Sequence, residues 1–163
     1  MILIALGANL PGADGTAPLS TCRDAAAALG TIPGLMVEAV SGWWLTEPDP
    51  PDPRSPWYVN GVARCRGDIG PEALLPALQA LEAEAGRQRP YPNAPRTLDL
   101  DIIAMGNMVR DVPDPILPHP RAHLRRFVLQ PLAEVAPGWV HPVLGHGVEA
   151  LLAALPEAAM RRL

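Results

Sequence analysis

At 163 residues, 48% apolar and 18% charged, the chain has the size and composition of one globular domain with a real core. A net charge of −4 excludes a general nucleic-acid binder. No apolar run is long enough to span a membrane. The opening Met1-Ile2-Leu3-Ile4-Ala5-Leu6-Gly7 is too short for a signal core and has no basic flank, so a cytoplasmic location is expected. Cys22 and Cys65 have no CxxC spacing and predict no disulfide framework. All 13 basic side chains are arginine. Arg87, Arg89, Arg96, Arg110, Arg121, Arg125 and Arg126 fall in one middle segment. On an acidic molecule, that concentration predicts a local anion pocket built from guanidinium forks.

Residues 1–6 read as a buried strand ended by the turn Gly7-Ala8-Asn9. Residues 16–29 have helical apolar spacing, with Gly30 as the stop. Residues 35–45 form a strand candidate, followed by the stiff loop Glu47-Pro48-Asp49-Pro50-Pro51-Asp52-Pro53. Residues 57–65 alternate as a strand. Residues 72–85 read as a helix, with Pro71 at its first position and Gly86 behind it. A second Pro-rich loop, Arg89-Pro90-Tyr91-Pro92-Asn93-Ala94-Pro95, leads into another strand, and helices near 126–136 and 148–155 complete the tail. This order predicts an α+β, ferredoxin-like (split βαβ) antiparallel sheet with helices on one face and a C-terminal helical extension. All of it belongs to a single domain, 1–163. The two Pro-rich loops interrupt the core at matching ends and are candidate lids.

Chemistry concentrates in Arg96-Thr97-Leu98-Asp99-Leu100-Asp101-Ile102-Ile103. In a strand, Leu98, Leu100 and Ile102 share one face, and Asp99 and Asp101 share the other. Their spacing of about 6.6 Å lets both carboxylates serve one cluster of divalent cations. A solvated acidic face on an edge strand gives the same pattern, and the motif alone leaves both open. Tyr58 and Asn60 have the same strand parity and offer a ring and an amide, which suits a flat heteroaromatic ligand. Ordinary packing explains them almost as well. Trp43 and Trp44 are adjacent, cannot share a face, and one of them belongs in the core. Gln79 and Glu82 lie three apart and can share a helix face, which by default is solvated. Leu117-Pro118-His119-Pro120-Arg121 holds a histidine in a rigid turn, either a working residue or a solvated loop group. Arg125-Arg126-Phe127 opens a helix, where backbone N–H groups favour anions; a pair of surface arginines flanking a core ring is the alternative. There is no GxxxxGK[ST] loop and no GxGxxG.

Taken together, these stretches resemble the 6-hydroxymethyl-7,8-dihydropterin pyrophosphokinase family of folate synthesis. The resemblance runs from Leu3 to about Trp139. It rests on Gly7-Ala8-Asn9-Leu10, Trp57-Tyr58-Val59-Asn60, Ala94-Pro95-Arg96-Thr97-Leu98-Asp99-Leu100-Asp101-Ile102-Ile103, Leu117-Pro118-His119-Pro120-Arg121 and Arg125-Arg126-Phe127-Val128-Leu129-Gln130-Pro131-Leu132. It implies transfer of the terminal diphosphate of ATP to the pterin hydroxymethyl group, with release of AMP. By the same resemblance, Asp99 and Asp101 hold two magnesium ions. Arg87, Arg89, Arg96 and Arg125 grip or cover the phosphates, with Arg87 and Arg96 counted among the catalytic residues beside the two aspartates. His119 falls on the phosphate side, and Gln79 and Glu82 on the nucleotide side. Thr46, Tyr58, Asn60 and Phe127 match the pterin pocket. The implied partners are ATP and the pterin, with no nucleic acid and no membrane, and a monomer is expected.

Some positions depart from the family pattern. The loop from Arg89 to Arg96 is about one residue shorter than in enterobacterial members and lacks their tryptophan, leaving Tyr91 or Asn93 to stand in. Glu47-Pro48-Asp49-Pro50 replaces the frequent Pro-Pro-Leu-Gly, Asp114 stands where some members carry Arg, and Pro120 follows His119 in place of an aromatic residue. Two other readings compete. An Asp-x-Asp sugar-nucleotide transferase would need a Rossmann-like half that is missing. A non-catalytic ligand-binding module has little use for paired acids, arginines and two long loops together.

Overall fold

Residues Ile2–Ala8, without one charged side chain, form strand β1, which is covered on both faces. The computed structural model describes residues 1–12, 14–86 and 95–163. In it β1 pairs antiparallel with β4 (Tyr58–Arg66) on one side and β5 (Asp99–Met105) on the other. The far edge of β4 is shared. β2 (Met36–Val40) takes its C-terminal half and β3 (Trp44–Thr46) its N-terminal half. A short C-terminal strand, β6 (Met160–Arg162), adds to β3, giving the order β5-β1-β4-β3-β6 with β2 off that path.

Helices α1 (Pro18–Leu29) and α2 (Pro71–Glu84) each begin with proline, whose missing N–H is an orphan at that position anyway. Cys22, Ala25 and Leu29 of α1 and Leu74 and Leu78 of α2 pack on Ile4, Leu6, Leu100 and Ile102. Helices α3 (Arg126–Val135) and α4 (Val148–Ala153) bury Val128, Leu129, Leu132, Leu151 and Leu152 against Leu3, Val62 and Ile103 on the opposite face. The expectation of helices on one face therefore holds for α1 and α2 alone. The tail helices make a third layer. Leu29, Leu74 and Leu78 below the sheet and Leu129 and Leu132 above it are wholly inaccessible. Each contributes roughly 1.5–3 kcal/mol, so the sheet is gripped from both sides.

The predicted strand over 35–45 is in fact two strands. At the break, Ser41 substitutes for the ladder: its N–H donates to the Val62 carbonyl and its Oγ accepts from the Val62 N–H. Trp43 then turns into the α1/α2 core, over Gly61, where a Cβ would come within 2.6 Å of the indole ring. Trp44 faces α3. Strand β5 carries a bulge opposite Leu3 and Ile4, where Ile103 is the extra residue. Cys22 and Cys65 are free and buried. Burial holds their thiols up at about 12 and about 11, so neither is a nucleophile near neutrality.

Of the two adjacent arginines, Arg126 is structural. Its guanidinium donates to the carbonyls of Leu152, Leu155 and Pro156 at 3.0, 3.0 and 3.1 Å, closing the C-terminal end of α4. Arg126→Ala is expected to lower unfolding stability by about 1–3 kcal/mol in denaturant melts. An unchanged midpoint would show that these contacts do not hold the tail in place.

Candidate active site

The α3 face of the sheet presents its residues in two registered rows. One runs Asp99, Gly7, Asn60, Trp44, and the next Asp101, Ala5, Val62. Between the acidic strand and the amide-bearing strand, β1 thus contributes only Gly7 and Ala5. That makes a floor. A Cβ on Gly7 would sit 2.6 Å from Asn60 Oδ1, so the amide can lie flat only over glycine. Above this floor opens a cleft of about 320 Å³. Thr46, Tyr58, Asn60 and Phe127 line one part of it, and Arg96, Asp99, Asp101 and Arg125 another.

On the first side, the Asn60 amide Nδ2 donates to Thr46 Oγ1 at 2.6 Å, and both residues are buried. On the second, Arg96 Nη1 donates to Asp99 Oδ2 at 2.7 Å. The Asp101 carboxyl is pushed up from 3.8 to about 7, first by burial and then by the charge of Asp99, with Glu82 adding to it. Arg125 and Arg96 oppose that rise without cancelling it. Added positive charge would therefore favour the ionised form of Asp101, and all the donor atoms of the pair are hard oxygens. Both facts fit a divalent cation. A solvated acidic face does not look like this, although β5 is an edge strand as that reading supposed.

Arg125 lies at the N-terminal boundary of α3, its guanidinium 5.5 Å from the centre of the Phe127 ring. His119 does not line the cleft, but the charges of Arg125 and Asp99 reach it. Burial, with Arg125 second, pushes its imidazole down to about 4. It is neutral at pH 7, and its Nδ1 accepts the Arg121 N–H at 3.1 Å, so Nε2 carries the proton as a donor. Glu82 is buried, and its Oε2 accepts the Leu100 N–H of β5 at 2.9 Å, from outside the β1 pairing. Gln79 is exposed on α2, and neither of these two lines the cleft. Arg87 and Arg89, like Tyr91 and Asn93, lie outside the described residues.

One residue was read as part of a turn and of a family motif, with no role of its own. Asn9 is 2% exposed, and its amide donates to Ser55 Oγ at 2.9 Å and to the Pro56 carbonyl at 3.0 Å. Its Oδ1 accepts the Arg96 N–H at 2.8 Å, while the N–H groups of Asn9 and Leu10 both donate to the Arg96 carbonyl. One buried amide thereby joins the base of the 47–56 loop to the segment carrying Arg96. Its polar position at the end of an apolar strand was the available signal.

Paired acids and arginines share one cleft with an aromatic and amide slot, the side-chain set of a binding or catalytic pocket. A family model described as 7,8-dihydro-6-hydroxymethylpterin-pyrophosphokinase (HPPK) matches residues 3–137. A relative from Pseudomonas aeruginosa, named 2-amino-4-hydroxy-6-hydroxymethyldihydropteridine pyrophosphokinase, is 39% identical over 162 residues, 99% of this chain and 96% of that one. A Haemophilus influenzae protein of the same name is 35% identical over 139 residues, covering 85% and 83%. The chain belongs to the HPPK family. Among solved structures, a Plasmodium falciparum HPPK-DHPS matches 93% of this chain and 42% of its own length, with a TM-score of 0.64 at 12% identity. That likeness is one of fold, and this chain spans about two-fifths of the longer protein.

The raised Asp101 carboxyl has a stability signature. Between 3.8 and about 7 the folded state holds a proton that the unfolded chain has released, so ligand-free stability falls as pH rises across that window. Asp101→Asn should flatten that slope relative to wild type in denaturant melts at stepped pH. Parallel curves would place the carboxyl in an ordinary environment.

Proposed function

We propose that the protein transfers the terminal diphosphate of ATP to the hydroxymethyl group of 6-hydroxymethyl-7,8-dihydropterin, releasing AMP, as a step of folate synthesis. One observation carries this reading beyond family membership. The acid pair with Arg96 and Arg125 shares a single cleft with Thr46, Tyr58, Asn60 and Phe127. The strand order β5-β1-β4, with β2 and β3 sharing the far side of β4 and β6 added beyond β3, supports a split βαβ, ferredoxin-like framework. A monomer and a cytoplasmic setting complete the proposal.

In the reaction the pterin hydroxyl oxygen bonds to the β-phosphorus of ATP, and the bond from that phosphorus to the α-phosphate bridge breaks. AMP keeps the bridging oxygen, and the hydroxyl proton passes to solvent. Negative charge shifts among phosphate oxygens, so fixed cations are worth more than any covalent device. Arg96 and Arg125 supply such charge, with Arg87 and Arg89 assigned to the same work by family pattern. Neutral His119 offers an Nε2–H on the phosphate side, and Gln79 and Glu82 are assigned to the nucleotide side. Asp99 and Asp101 are the residues that would hold magnesium, two ions by the family pattern. Among the described residues no group of three or more His, Cys, Asp or Glu could hold a metal, but magnesium commonly takes one or two carboxylates and completes its shell with phosphate and water. When bound, magnesium neutralises phosphate oxygens and lowers the proton affinity of the attacking hydroxyl.

On the pterin side, Phe127 and Tyr58 provide faces for stacking. The Asn60–Thr46 bond fixes the amide so that its oxygen accepts and the Thr46 hydroxyl hydrogen donates toward the ring edge. The direct test is a product assay with ATP, magnesium and the reduced hydroxymethylpterin, in which AMP rather than ADP is expected. Asp99→Ala or Asp101→Ala should abolish AMP formation, and near-normal turnover in either would remove the acids from the reaction. Arg125→Ala should lower turnover by about 10²-fold while changing pterin affinity far less. Weakened pterin binding at an unchanged rate would move Arg125 out of the phosphate site.

A further inference from the structure

We infer that Glu134 is a positioning residue for the pterin slot, setting the separation between α3, which carries Phe127, and β3, which carries Thr46. The inference rests on the reading of that slot given above. Phe127 and Glu134 lie seven residues apart, about two turns, and so project from one face of α3. Trp44 and Thr46 share the face of β3 that meets this helix. The Glu134 carboxylate spans the gap between them. Its Oε2 accepts the Gly42 N–H at 3.1 Å, and its Oε1 accepts the Trp44 indole N–H at 3.2 Å. Arg162 of β6 completes the cluster, with Nε 3.3 Å from Oε1.

The anchor matters because β3 is only three residues long and follows the break at Ser41-Gly42-Trp43. Its register against β4 cannot by itself fix its distance from the helix above. Helix α3 is tied at the same end by Arg64, whose Nη1 donates to the Val135 carbonyl. Both ties sit at the C-terminal end of α3, and Phe127 sits about 10 Å away along the axis. A small tilt at the anchored end therefore becomes a displacement of the ring at the slot.

The three contacts are unequal. The Arg162 side chain is 61% exposed, so its ion pair is screened and weak. The two N–H groups donate to an ionised acceptor at hydrogen-bond distance, which makes them the stronger contacts. Gly42 leaves room for the guanidinium, since a Cβ there would come within 2.5 Å of Arg162 Nη2. Arg162 covers the clamp; Glu134 is the clamp.

The test measures pterin affinity calorimetrically in the presence of magnesium and a non-hydrolysable ATP analogue, alongside kcat and both KM values. Glu134→Ala should raise the pterin Kd and KM on the order of tenfold, with kcat and the KM for ATP within about twofold. Glu134→Gln keeps an acceptor oxygen and should recover most of the affinity, while Arg162→Ala should stay within about twofold of wild type. Should Glu134→Ala fold poorly, Trp44→Phe decides alone, because it keeps a ring and removes one donor. A rise of about threefold in pterin Kd is expected there, and an unchanged Kd overturns the positioning role. Equal loss in kcat and both KM values would also overturn it. Wild-type protein that binds no pterin sinks the slot itself, whereas wild type, Glu134→Ala and Trp44→Phe binding pterin equally well sinks only the role of Glu134.

Discussion

Two carboxylates on one face of a strand repel each other, and the rest of the molecule is arranged so that β5 bears them anyway. Leu98, Leu100 and Ile102 on the opposite face are almost fully buried against α1 and α2. That burial holds the strand in place at roughly 1.5–3 kcal/mol per side chain. Glu82, reaching from α2 to the Leu100 N–H, stops the open edge of β5 from fraying. It also adds a third negative charge near Asp101. Among the described residues Arg125 and Arg96 lower the Asp101 carboxyl, which burial and the neighbouring acids still hold up at about 7. Burial thus holds the strand with its two acids close together, and added positive charge favours the ionised form of Asp101.

The same logic explains why helices are needed on both faces. With α1 and α2 alone, the acidic face would open to water, and the charges would be screened. Covering that face with α3 brings Arg125 and Phe127 over the floor made by Ala5 and Gly7. It also walls one side of the cleft, where Arg125, Phe127 and Val128 are lining residues. The small residues of β1 are as necessary as the large ones. A side chain at Gly7 would displace the Asn60 amide and fill the space between the two halves of the site.

What could be read from the amino-acid order was whatever depends on local periodicity. The shared face of Asp99 and Asp101 and that of Tyr58 and Asn60 follow from strand parity, and Pro71 opens α2 where its missing N–H predicted. Asn9, Glu82 and Glu134 were opaque for one reason. Asn9 and Glu134 make hydrogen bonds to partners 46 to 92 positions away, and Glu82 works through a backbone N–H that nothing in a helix pattern announces. Strand β6 was missed because Met-Arg-Arg has no alternation, and its pairing comes from β3. Arg125 and Arg126 looked alike in sequence. They separated only when α4 was seen to lie against one of them.

The Pro-rich loop after Thr46 shows how the fold limits what a lid can do. At one end the Glu47 N–H donates to the Ala159 carbonyl beside β6, and at the other Ser55 and Pro56 accept from Asn9. Both bases are therefore fastened to parts of the protein that do not belong to the loop. Between them run Pro48, Asp49, Pro50, Pro51, Asp52, Pro53 and Arg54, where prolines fix φ and remove donors. The Asp52–Arg54 pair lies in the open, with Arg54 90% exposed, so it adds little rigidity. Any movement of this loop is confined to the stiff span between two fixed points. Thr46 and Asn60, on the strands outside those points, keep their positions while the span moves. The loop can change how the slot is covered, while β3, β4 and α3 keep its walls.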